Sequence, residues 1–475
     1  QDDIVENPKN LEFVEMKSLT IPAAIQDFDY VIITGSIVYN AGIDPSAALA
    51  TEDILDHLIL QVVVKEGNKN ADWAQAIVDA YHSDRFKAYL EETTTACGGF
   101  LKNCSRKMSA NREKSALIAM SGGVDSSVAA WLMREQGYRC EGTTMRLYRN
   151  ADIGLSQFHT CCSQKDIDDA SEVAFQLDIP YEVLDFTMDF RNQIIGKFIR
   201  TYESGGTPNP CIDCNRYMKF DKLLRFADER GLEYVATGHY ALIEYDEVSG
   251  RYLLKKALDD SKDQSYVLYM LTQNQLSHIQ FPLGGKMKKE VREIAEQLGF
   301  CNAWKHDSQD ICFVPNGDYV KFMEQYTGKH YPAGAFLDLE GQPVGRHCGA
   351  VRYTLGQRKG LGLAMGEPVY VCGKDMAANT VTVGPENALY SSMLLAEDMN
   401  WISIPQLKQP MRVKAKTRYR QAEQWAAVYP EQHGRVRLEF DAPQRAVTVG
   451  QAVVLYDGDV VVGGGTICQA PPTKR

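Results

Sequence analysis

The sequence predicts an α/β protein with a doubly wound parallel sheet, then a small connecting domain and a C-terminal β-barrel, preceded by a partial α/β lobe. Three observations support this fold class. Strand-like apolar runs alternate with helical patterns between residues 115 and 314, as in parallel sheets. A glycine-rich turn joins the first of these runs to a helical pattern. After Trp401 short strands dominate, and Asp457-Gly458 between apolar runs indicates a hairpin.

The partial lobe occupies residues 1–95. Apolar runs predict strands at 30–34 and 58–64, and helical periodicity predicts a helix at 71–90. A polar, basic segment at 96–114 interrupts these patterns, and we interpret it as a linker. The chain begins at Gln1 without methionine and shows no signal peptide, so we expect a fragment or a processed end.

The sheet domain is predicted at 115–314. Its elements, in order, are a strand at 116–120, a helix at 124–137, a helix at 163–177, a strand at 181–186, a helix around 194–199, a helix at 220–230 and a strand at 233–237. Ligands of such sheets bind at the carboxyl ends of strands, where segments 121–127 and 237–240 both fall. A glycine-rich connecting module follows at 315–390, and a closed barrel at 391–475.

Composition restricts the class of protein. A chain of 475 residues accommodates about three domains. The longest apolar runs are shorter than a membrane span, so we expect no membrane partner. A net charge of −11 argues against nucleic-acid binding by bulk charge but is compatible with a local basic surface. The 12 cysteines, in a long chain with a phosphate-type loop, indicate reduced thiols with chemical or metal-binding roles.

The segment Ser-Gly-Gly-Val-Asp-Ser-Ser at 121–127 is the most informative motif. Paired glycines allow close approach of the backbone to an anion, and the following helix directs its N-terminus toward that anion. The segment lacks the endings of a Walker A loop and of a dinucleotide loop. An ordinary turn before a helix is the alternative. The segment resembles the pyrophosphate loop (PP-loop) of enzymes that cleave ATP to AMP and pyrophosphate while adenylating a substrate.

The second motif is Thr-Pro-Asn-Pro at 207–210, followed by Cys211 and Cys214. The prolines predict an extended, rigid backbone ahead of the cysteines. A C-x-x-C pair is compatible with half a metal site, a redox dithiol, or a catalytic thiol beside a structural one. Cys312 lies far along the chain near aspartates, and burial in the core is the alternative to a chemical role for it.

A basic alternation marks the barrel. Cations occupy every second position, at Arg412, Lys414, Lys416, Arg418 and Arg420. On a strand they would share one face at a spacing of about 6.6 Å. We predict that this face contacts phosphates, and a solvated edge strand is the alternative. Tyr419 is placed to stack on an unpaired RNA base.

From 115 to 470 the chain resembles the tRNA-specific 2-thiouridylases, which put sulfur on the wobble uridine of certain tRNAs. The matching motifs, in order, are Ser-Gly-Gly-Val-Asp-Ser-Ser at 121–127, Thr-Pro-Asn-Pro at 207–210 with Cys214-Asn215, Ala-Thr-Gly-His-Tyr at 236–240, Lys-Asp-Gln-Ser-Tyr at 262–266, Asp307-Ser308 with Ile-Cys-Phe at 311–313, Tyr-Thr-Leu-Gly-Gln-Arg-Lys-Gly-Leu-Gly at 353–362, Lys-Thr-Arg-Tyr-Arg at 416–420 and Gly-Gly-Gly at 463–465.

The resemblance implies an adenine nucleotide alpha hydrolase-like fold and a role for each motif. ATP with Mg²⁺ would be bound by Ala119, Met120, Ser121, Gly122, Gly123, Val124, Asp125, Ser126, Met145 and Gly238. Cys214 would be the nucleophile and Cys312 the persulfide carrier, forming a disulfide after sulfur release, with Asp125 as a further catalytic residue. Asn209, Pro210 and Cys211 would lie at the target base, and Lys262, Asp263, Gln264, Arg418 and Tyr419 would contact tRNA. A cysteine desulfurase or a relay protein would supply sulfur in the cytoplasm.

The sequence leaves open whether the cysteines bind a metal and whether His239 is functional. We predict no metal, but Cys211, Cys214 and Cys312, with the pair Cys161-Cys162, could instead ligate zinc or an iron–sulfur cluster, although their spacing is irregular. His239 could touch a phosphate or be structural.

The sequence is also compatible with two functions other than thiolation. An amidating ligase could use the same loop, but amidation needs no sulfur-carrying cysteines. Residues 1–95 resemble the C-terminal part of methionine-binding lipoproteins of ABC importers, through Ile-Val-Glu-Asn-Pro-Lys-Asn-Leu at 4–11 and Ala-Gly-Ile-Asp-Pro at 41–45. The stretch at 34–38 departs from that family's ligand-binding pattern, so we expect a fused remnant rather than a methionine-binding protein.

Overall fold

The computed structural model describes residues 114–148, 164–305, 311–314 and 317–471, and three strands nearer the N-terminus. The chain forms two compact units, 1–112 and 113–475. In the first unit, β1 (Tyr30–Thr34), β2 (Ala48–Thr51) and β3 (Leu60–Val64) form an antiparallel sheet in the order β1-β3-β2. Two of these strands were predicted. The predicted helix at 71–90 and the linker up to residue 113 lie outside the described residues.

The second unit begins with a parallel five-stranded sheet in the order β10-β7-β4-β5-β6. The strands are β4 (Ser115–Ala119), β5 (Arg139–Arg146), β6 (Tyr181–Asp185), β7 (Tyr234–Thr237) and β10 (Ile279–Gln280). In the central strand, Ala116, Leu117 and Ile118 are all buried, because helices cover both faces of the sheet. The doubly wound parallel sheet predicted from the sequence is therefore confirmed.

Seven helices are found among the described residues. They are α1 (Val124–Glu135), α2 (Gln164–Gln176), α3 (187–203), α4 (210–229), α5 (Gln273–Ser277), α6 (Lys288–Gln297) and α7 (Tyr319–Thr327). Single-turn 3₁₀ segments lie at Ser265–Val267, Ala350–Arg352, Glu386–Leu389 and Gln432–Gly434. Both α3 and α4 contain π-helical segments, Arg191–Ile195 and Cys214–Lys222, and such segments are frequent at functional sites. Within the described residues, no helix is long and apolar enough to cross a membrane.

The order of the strands defines where a ligand can bind. The chain leaves β4 toward β5 on one side and later returns to β7 on the other side of β4. Such a reversal opens a crevice at the carboxyl ends of the two central strands. The PP-loop follows β4 and the segment 238–240 follows β7, so both predicted nucleotide segments lie at this crevice.

The connecting module contains a four-stranded sheet in the order β12-β11-β14-β13. Its strands are β11 (Gly334–Leu337), β12 (Pro343–His347), β13 (Tyr370–Asp375) and β14 (Thr380–Gly384). Phe336, Val371 and Val381 are fully buried and form its small core. The sequence pattern alone had not specified this sheet.

The C-terminal strands close into a six-stranded barrel in the order β15-β18-β17-β16-β19-β20, with β20 pairing back onto β15. They are β15 (Tyr390–Trp401), β16 (Met411–Lys416), β17 (Gln424–Pro430), β18 (Val436–Arg445), β19 (Ala452–Asp457) and β20 (Val460–Gln469). The predicted hairpin joins β19 and β20, and Gly458 takes the left-handed φ of +58° that this turn requires. The predicted barrel is confirmed.

A hairpin from the sheet domain joins the barrel. Strands β8 (Leu242–Asp246) and β9 (Arg251–Lys255) pair with each other, and Lys255 of β9 pairs with Val460 of β20. The next residue extends the contact, because the Lys256 N–H donates to the Asp459 carbonyl at 2.9 Å. The barrel and the sheet domain are therefore linked by backbone hydrogen bonds.

Candidate active site

The PP-loop is fixed by its own hydrogen bonds. The Met120 N–H donates to the Thr143 carbonyl at 2.8 Å, which continues the sheet by one residue. The Ser126 hydroxyl accepts from the Ser121 N–H at 3.1 Å and donates to the Gly123 carbonyl at 2.9 Å. Hydrogen bonds of the Ser126 hydroxyl therefore join the two ends of the turn between β4 and α1. Its shape is that of an anion cradle at a helix N-terminus.

The two other predicted nucleotide residues lie at the same edge of the sheet. Gly238 is the residue after β7. It lies so close to the PP-loop that an added Cβ atom would be 2.8 Å from the backbone of Asp125 and Ser126. Met145 lies near the carboxyl end of β5 and, like Ala119, packs half-buried against the apolar cluster that contains Leu117 and Val235. The fold thus brings together three segments that are distant in sequence.

Asp125 lies in the first turn of α1 and is engaged by two side chains from elsewhere. The Lys288 Nζ lies 2.7 and 2.8 Å from its two carboxylate oxygens, and the Tyr240 hydroxyl donates to it at 2.7 Å. The Lys288 backbone N–H donates to Asp259 at 2.9 Å, which fixes the start of α6. A cation therefore stands beside the loop, although no local sequence pattern predicted it.

A second lysine braces the loop from outside. The Lys305 Nζ donates to the Gly122 carbonyl at 2.9 Å and to Asp166 and Asp169, both at 2.6 Å. Burial lowers the pKa of Lys305, but the hydrogen bonds and charges of the two aspartates outweigh it, so the pKa lies above its usual value. Asn302 also donates to the Gly122 carbonyl, at 3.2 Å.

Cys214 and Cys312 lie on segments that pack against one apolar cluster. Both side chains are half-buried, and both touch the cluster that contains Phe198 and Phe313. Cys214 begins the π segment of α4. The carbonyl of Cys312 accepts from the Tyr148 hydroxyl at 2.7 Å, which anchors its loop to the sheet domain. The neighbouring motif residues Asp307 and Ser308 lie outside the described residues.

Asp213 precedes the first of these cysteines and is buried. Burial raises the pKa of Asp213, although its ion pair with Lys197 at 2.6 Å and the charge of Arg216 oppose the rise. This pair ties α4 to α3 at the position where Cys214 begins the π segment.

The segment before α4 is held by the barrel. The Thr207 N–H donates to the Val449 carbonyl at 3.1 Å, and the Gln451 side chain donates to the Thr207 carbonyl at 2.9 Å. Pro210 occupies the first turn of α4, where its missing N–H removes no helical hydrogen bond. Asn209 and Cys211 are consequently placed beside the barrel, with Cys211 exposed.

Tyr419 joins the barrel to the loop at 257–264. Its hydroxyl donates to the Asp263 carbonyl at 2.9 Å. Burial raises the pKa of Tyr419, and the charge of Asp263 adds to the rise while that of Arg420 opposes it. The Gln264 side chain accepts from the Tyr240 N–H at 2.9 Å. The Asp263 carboxylate accepts from the Ala257 N–H at 3.1 Å, so the side chains of Asp263 and Gln264 both help to hold the loop in place.

Comparison with known proteins decides the family. Models described as tRNA methyl transferase HUP domain, tRNA methyl transferase PRC-barrel domain and aminomethyltransferase beta-barrel domain match residues 114–316, 320–385 and 391–467. A tRNA-specific 2-thiouridylase of Acetivibrio thermocellus is 51% identical over 356 residues, which are 75% of this chain and 99% of that protein. A 2-thiouridylase of Clostridioides difficile is 46% identical over 354 residues, 74% of this chain and 98% of that protein.

This chain belongs to the tRNA-specific 2-thiouridylase family. The resemblance inferred from the motifs is confirmed. A model of the NlpA lipoproteins matches residues 1–102, which confirms the second resemblance. A solved 4-thiouridine synthetase–RNA complex with bound ATP covers 45% of this chain and 50% of its own at 18% identity, with a TM-score of 0.26.

The basic strip of this 2-thiouridylase-family chain differs from the prediction. Strand β16 ends at Lys416, so the five cations do not share one strand face. Arg418 is half-buried and donates to the Ala446 carbonyl at 2.8 Å, and burial lowers its pKa. Arg412 pairs with Asp441, a residue of β18. The alternation predicted a strand correctly, but another strand of the barrel supplies an acid whose position the linear sequence does not reveal.

His239 is buried in this thiouridylase fold, which favours the structural alternative. Its Nδ1 lies 2.6 Å from the Thr237 hydroxyl, and the rings of Phe220 and Phe281 pack against it. Burial lowers the pKa of His239 well below its usual value, so the imidazole is neutral.

The cysteines of this family member do not form a metal site among the described residues. No three His, Cys, Asp or Glu side chains in that part of the chain are close enough to hold an ion. Cys211, Cys214 and Cys312 are therefore not gathered as cluster ligands, and Cys161-Cys162 lie outside the described residues.

Proposed function

We propose that this chain is a cytoplasmic ATP-dependent enzyme that replaces the 2-oxygen of the wobble uridine of tRNA with sulfur. The observation that carries the proposal is the placement of Cys214 and Cys312 against one apolar cluster, in the same domain as the PP-loop. A phosphate cradle supports activation by ATP, and two thiols on neighbouring segments support sulfur transfer.

The first step is adenylation of the uridine. Its 2-oxygen bonds to the α-phosphorus while N3 loses its proton to solvent. The bond from that phosphorus to the bridging oxygen breaks, and pyrophosphate leaves with the electron pair. The backbone of residues 119–126 would bind the phosphates, with Met145 and Gly238 completing the nucleotide pocket. Fixed donors aimed at developing charge are the main means by which proteins accelerate such steps.

The second step is sulfur transfer. The terminal sulfur of a persulfide on Cys312 attacks the activated C2, and AMP leaves. The Cys214 thiolate then attacks the Cys312 sulfur, which breaks the sulfur–sulfur bond to the base. The 2-thiouridine is released and a Cys214–Cys312 disulfide forms. A dithiol reductant restores the thiols, and a cysteine desulfurase or a relay protein supplies the persulfide sulfur.

The target base would lie near Asn209, Pro210 and Cys211. The segment that precedes these residues is hydrogen-bonded to Val449 and Gln451 of the barrel, which supports one shared surface for the base and the surrounding tRNA. Lys262, Asp263, Gln264 and Arg418 would complete the tRNA contacts. Tyr419 is 40% exposed, which leaves part of its ring accessible for stacking on a splayed base.

Mg²⁺ fits the loop chemically. Asp125 offers a carboxylate at the cradle, and Mg²⁺ is commonly held by one or two carboxylates together with substrate phosphates. Bound there, the ion would neutralise phosphate charge.

The proposal is tested with Cys312→Ser and Cys214→Ser in the full chain, supplied with ATP, tRNA and a persulfide donor. Both variants should form no 2-thiouridine by nucleoside mass spectrometry yet release pyrophosphate in the presence of tRNA, because neither thiol acts in adenylation. Cys348→Ser, at an exposed cysteine of the connecting module, is the matched control and should retain thiolation. Formation of 2-thiouridine by Cys312→Ser would sink the assignment.

The same experiment, repeated with a methyl donor added to the reaction, addresses the words methyl transferase in two of the matching family models. Methyl transfer needs neither ATP cleavage nor a pair of thiols, whereas the curated relatives are thiouridylases. A methylated uridine in the product would favour methyl transfer over the proposed function.

A further inference from the structure

We infer that Lys288 binds the phosphate chain of ATP and stabilises the departing pyrophosphate, and that Asp125 holds its ammonium group in place before the nucleotide arrives. This inference rests on the proposed adenylation and adds a catalytic residue to it.

The Lys288 side chain has the position for this role. Its Nζ stands beside the first turn of α1, where it contacts both oxygens of Asp125 at 2.7 and 2.8 Å. The backbone of this helix turn lies against Gly238, which follows β7. The ammonium therefore lies at the crevice between β4 and β7. Phosphates bound at the N-terminus of α1 would lie within reach of a lysine side chain at this crevice.

The surroundings of Lys288 suit an ammonium that acts on an anion. Its side chain is only 11% exposed, and its Nζ lies 5.8 Å from the centre of the Tyr240 ring. Charge interactions are stronger at such a site than in water. The start of α6 is fixed through the Lys288 N–H and Asp259, so little reorganisation is needed when the phosphates bind.

Lys305, the other lysine beside the loop, is less suited to bind the phosphates than Lys288. Lys305 contacts two carboxylates and the carbonyl of Gly122, and these acceptors direct it to the structural support of the loop. Lys288 contacts the carboxylate of Asp125, whose side chain is 29% exposed. An incoming phosphate, or a Mg²⁺ ion on Asp125, could take over part of that contact without dismantling the loop.

In the adenylation step the ammonium keeps its proton. Negative charge moves onto the pyrophosphate as its bond to the α-phosphorus breaks, and the fixed positive charge stabilises it there. Removal of one such fixed donor typically lowers kcat by about 100- to 1,000-fold.

The test uses Lys288→Met, Lys288→Arg and the matched control Lys289→Met. Lys289 is the next residue of α6, and its side chain is 88% exposed and pairs with Glu293. In the full chain, Lys288→Met should lower the kcat of tRNA-dependent pyrophosphate release by about 100-fold or more. Lys288→Arg should recover part of the rate, and Lys289→Met should remain within about twofold of wild type, because exposed charges contribute little.

Binding measurements separate a phosphate contact from structural support. Calorimetry with ATP and with adenosine should show that Lys288→Met weakens ATP binding while adenosine binding is unchanged. Equal weakening of both ligands, or pyrophosphate release by Lys288→Met at the wild-type rate, would overturn the inference. If wild type binds ATP but releases no pyrophosphate with tRNA, the proposed function fails. The selective loss of ATP binding would then still establish the Lys288 contact.

Discussion

At the scale of single residues, two glycines shape the nucleotide crevice. Gly122 has φ of +70°, and a Cβ atom there would lie 2.2 Å from the Asp166 carbonyl oxygen. Gly238 also lies close to the backbone of Asp125, at 2.8 Å for an added Cβ. Backbone contacts therefore hold the PP-loop from two sides, which is why side chains are excluded at both positions.

Gly122→Ala should reduce the free energy of unfolding by about 3 kcal/mol, through backbone strain and overpacking, and should abolish ATP binding. Gly123→Ala is the matched control, because Gly123 has an ordinary φ of −94° and an added Cβ would meet only the Ser121 hydroxyl at 3.5 Å. Its stability should change by less than about 1 kcal/mol. Urea unfolding and calorimetry measure both effects; equal losses of stability in the two variants would contradict this account.

The residues of the site differed in how far the sequence could predict them. The PP-loop was predictable because its strand, glycines and helix start are contiguous. Lys288, Lys305 and Asn302 were missed, because a lysine or asparagine in a helix or turn carries no local signal of a partner more than a hundred residues away. The role of His239 stayed open until its burial between Phe220 and Phe281 favoured structure over phosphate contact.

At the scale of elements, helix α4 was only partly predicted. The periodicity placed its start near residue 220, and the prolines indicated an extended segment before the cysteines. The helix in fact begins at Pro210, because proline is well tolerated in a first helical turn. Its π segment shifts the periodicity of the buried positions away from that of an α-helix, so the pattern around Cys214 was not recognised as helical.

Strand β13 carries a buried lysine, Lys374, that should make the stability of the protein depend on pH. The Lys374 ammonium is buried and has no hydrogen-bond partner within the described residues. Burial lowers the pKa of Lys374 to about 8. Because the folded-state pKa lies below the unfolded one, the charge destabilises the native state fully below pH 8. The penalty fades as the pH rises toward the unfolded-state value.

Lys374→Met should therefore be more stable than wild type at pH 7, by about 1 to 3 kcal/mol, with the difference shrinking between pH 8 and 10.5. Urea unfolding across this pH range measures it. Lys359→Met, at an exposed lysine of the same module, should show no such dependence on pH. A stability difference that stays constant with pH would refute the assigned cause.

At the scale of the whole molecule, the N-terminal unit is separable from the enzyme. The 2-thiouridylase of Acetivibrio thermocellus is covered over 99% of its length by only 75% of this chain. The family models for the sheet domain, the connecting module and the barrel all lie within residues 114–467. The first residues match the model of a different family, which patterns of strands and helices could not reveal without the motifs.

A chain of residues 113–475 should thiolate tRNA with the same kcat as the full chain, because the relatives span this part alone. Nucleoside mass spectrometry over time measures the rate. Calorimetry of the full chain with methionine should detect no heat of binding. A tenfold loss of rate on truncation, or methionine binding, would assign the N-terminal unit a working role.

The pairing of hairpin β8–β9 with strand β20 has a consequence for how this enzyme can be rearranged in evolution. A barrel attached only by a linker could be exchanged between proteins as an independent cassette. Here Lys255 and Val460 share a strand pairing, so exchange of the barrel would leave unsatisfied backbone groups on both sides. The exchange would also remove the hydrogen bond from Gln451 to Thr207, in the segment that precedes α4. The barrel and the sheet domain are therefore expected to be inherited together and to unfold in a single cooperative transition.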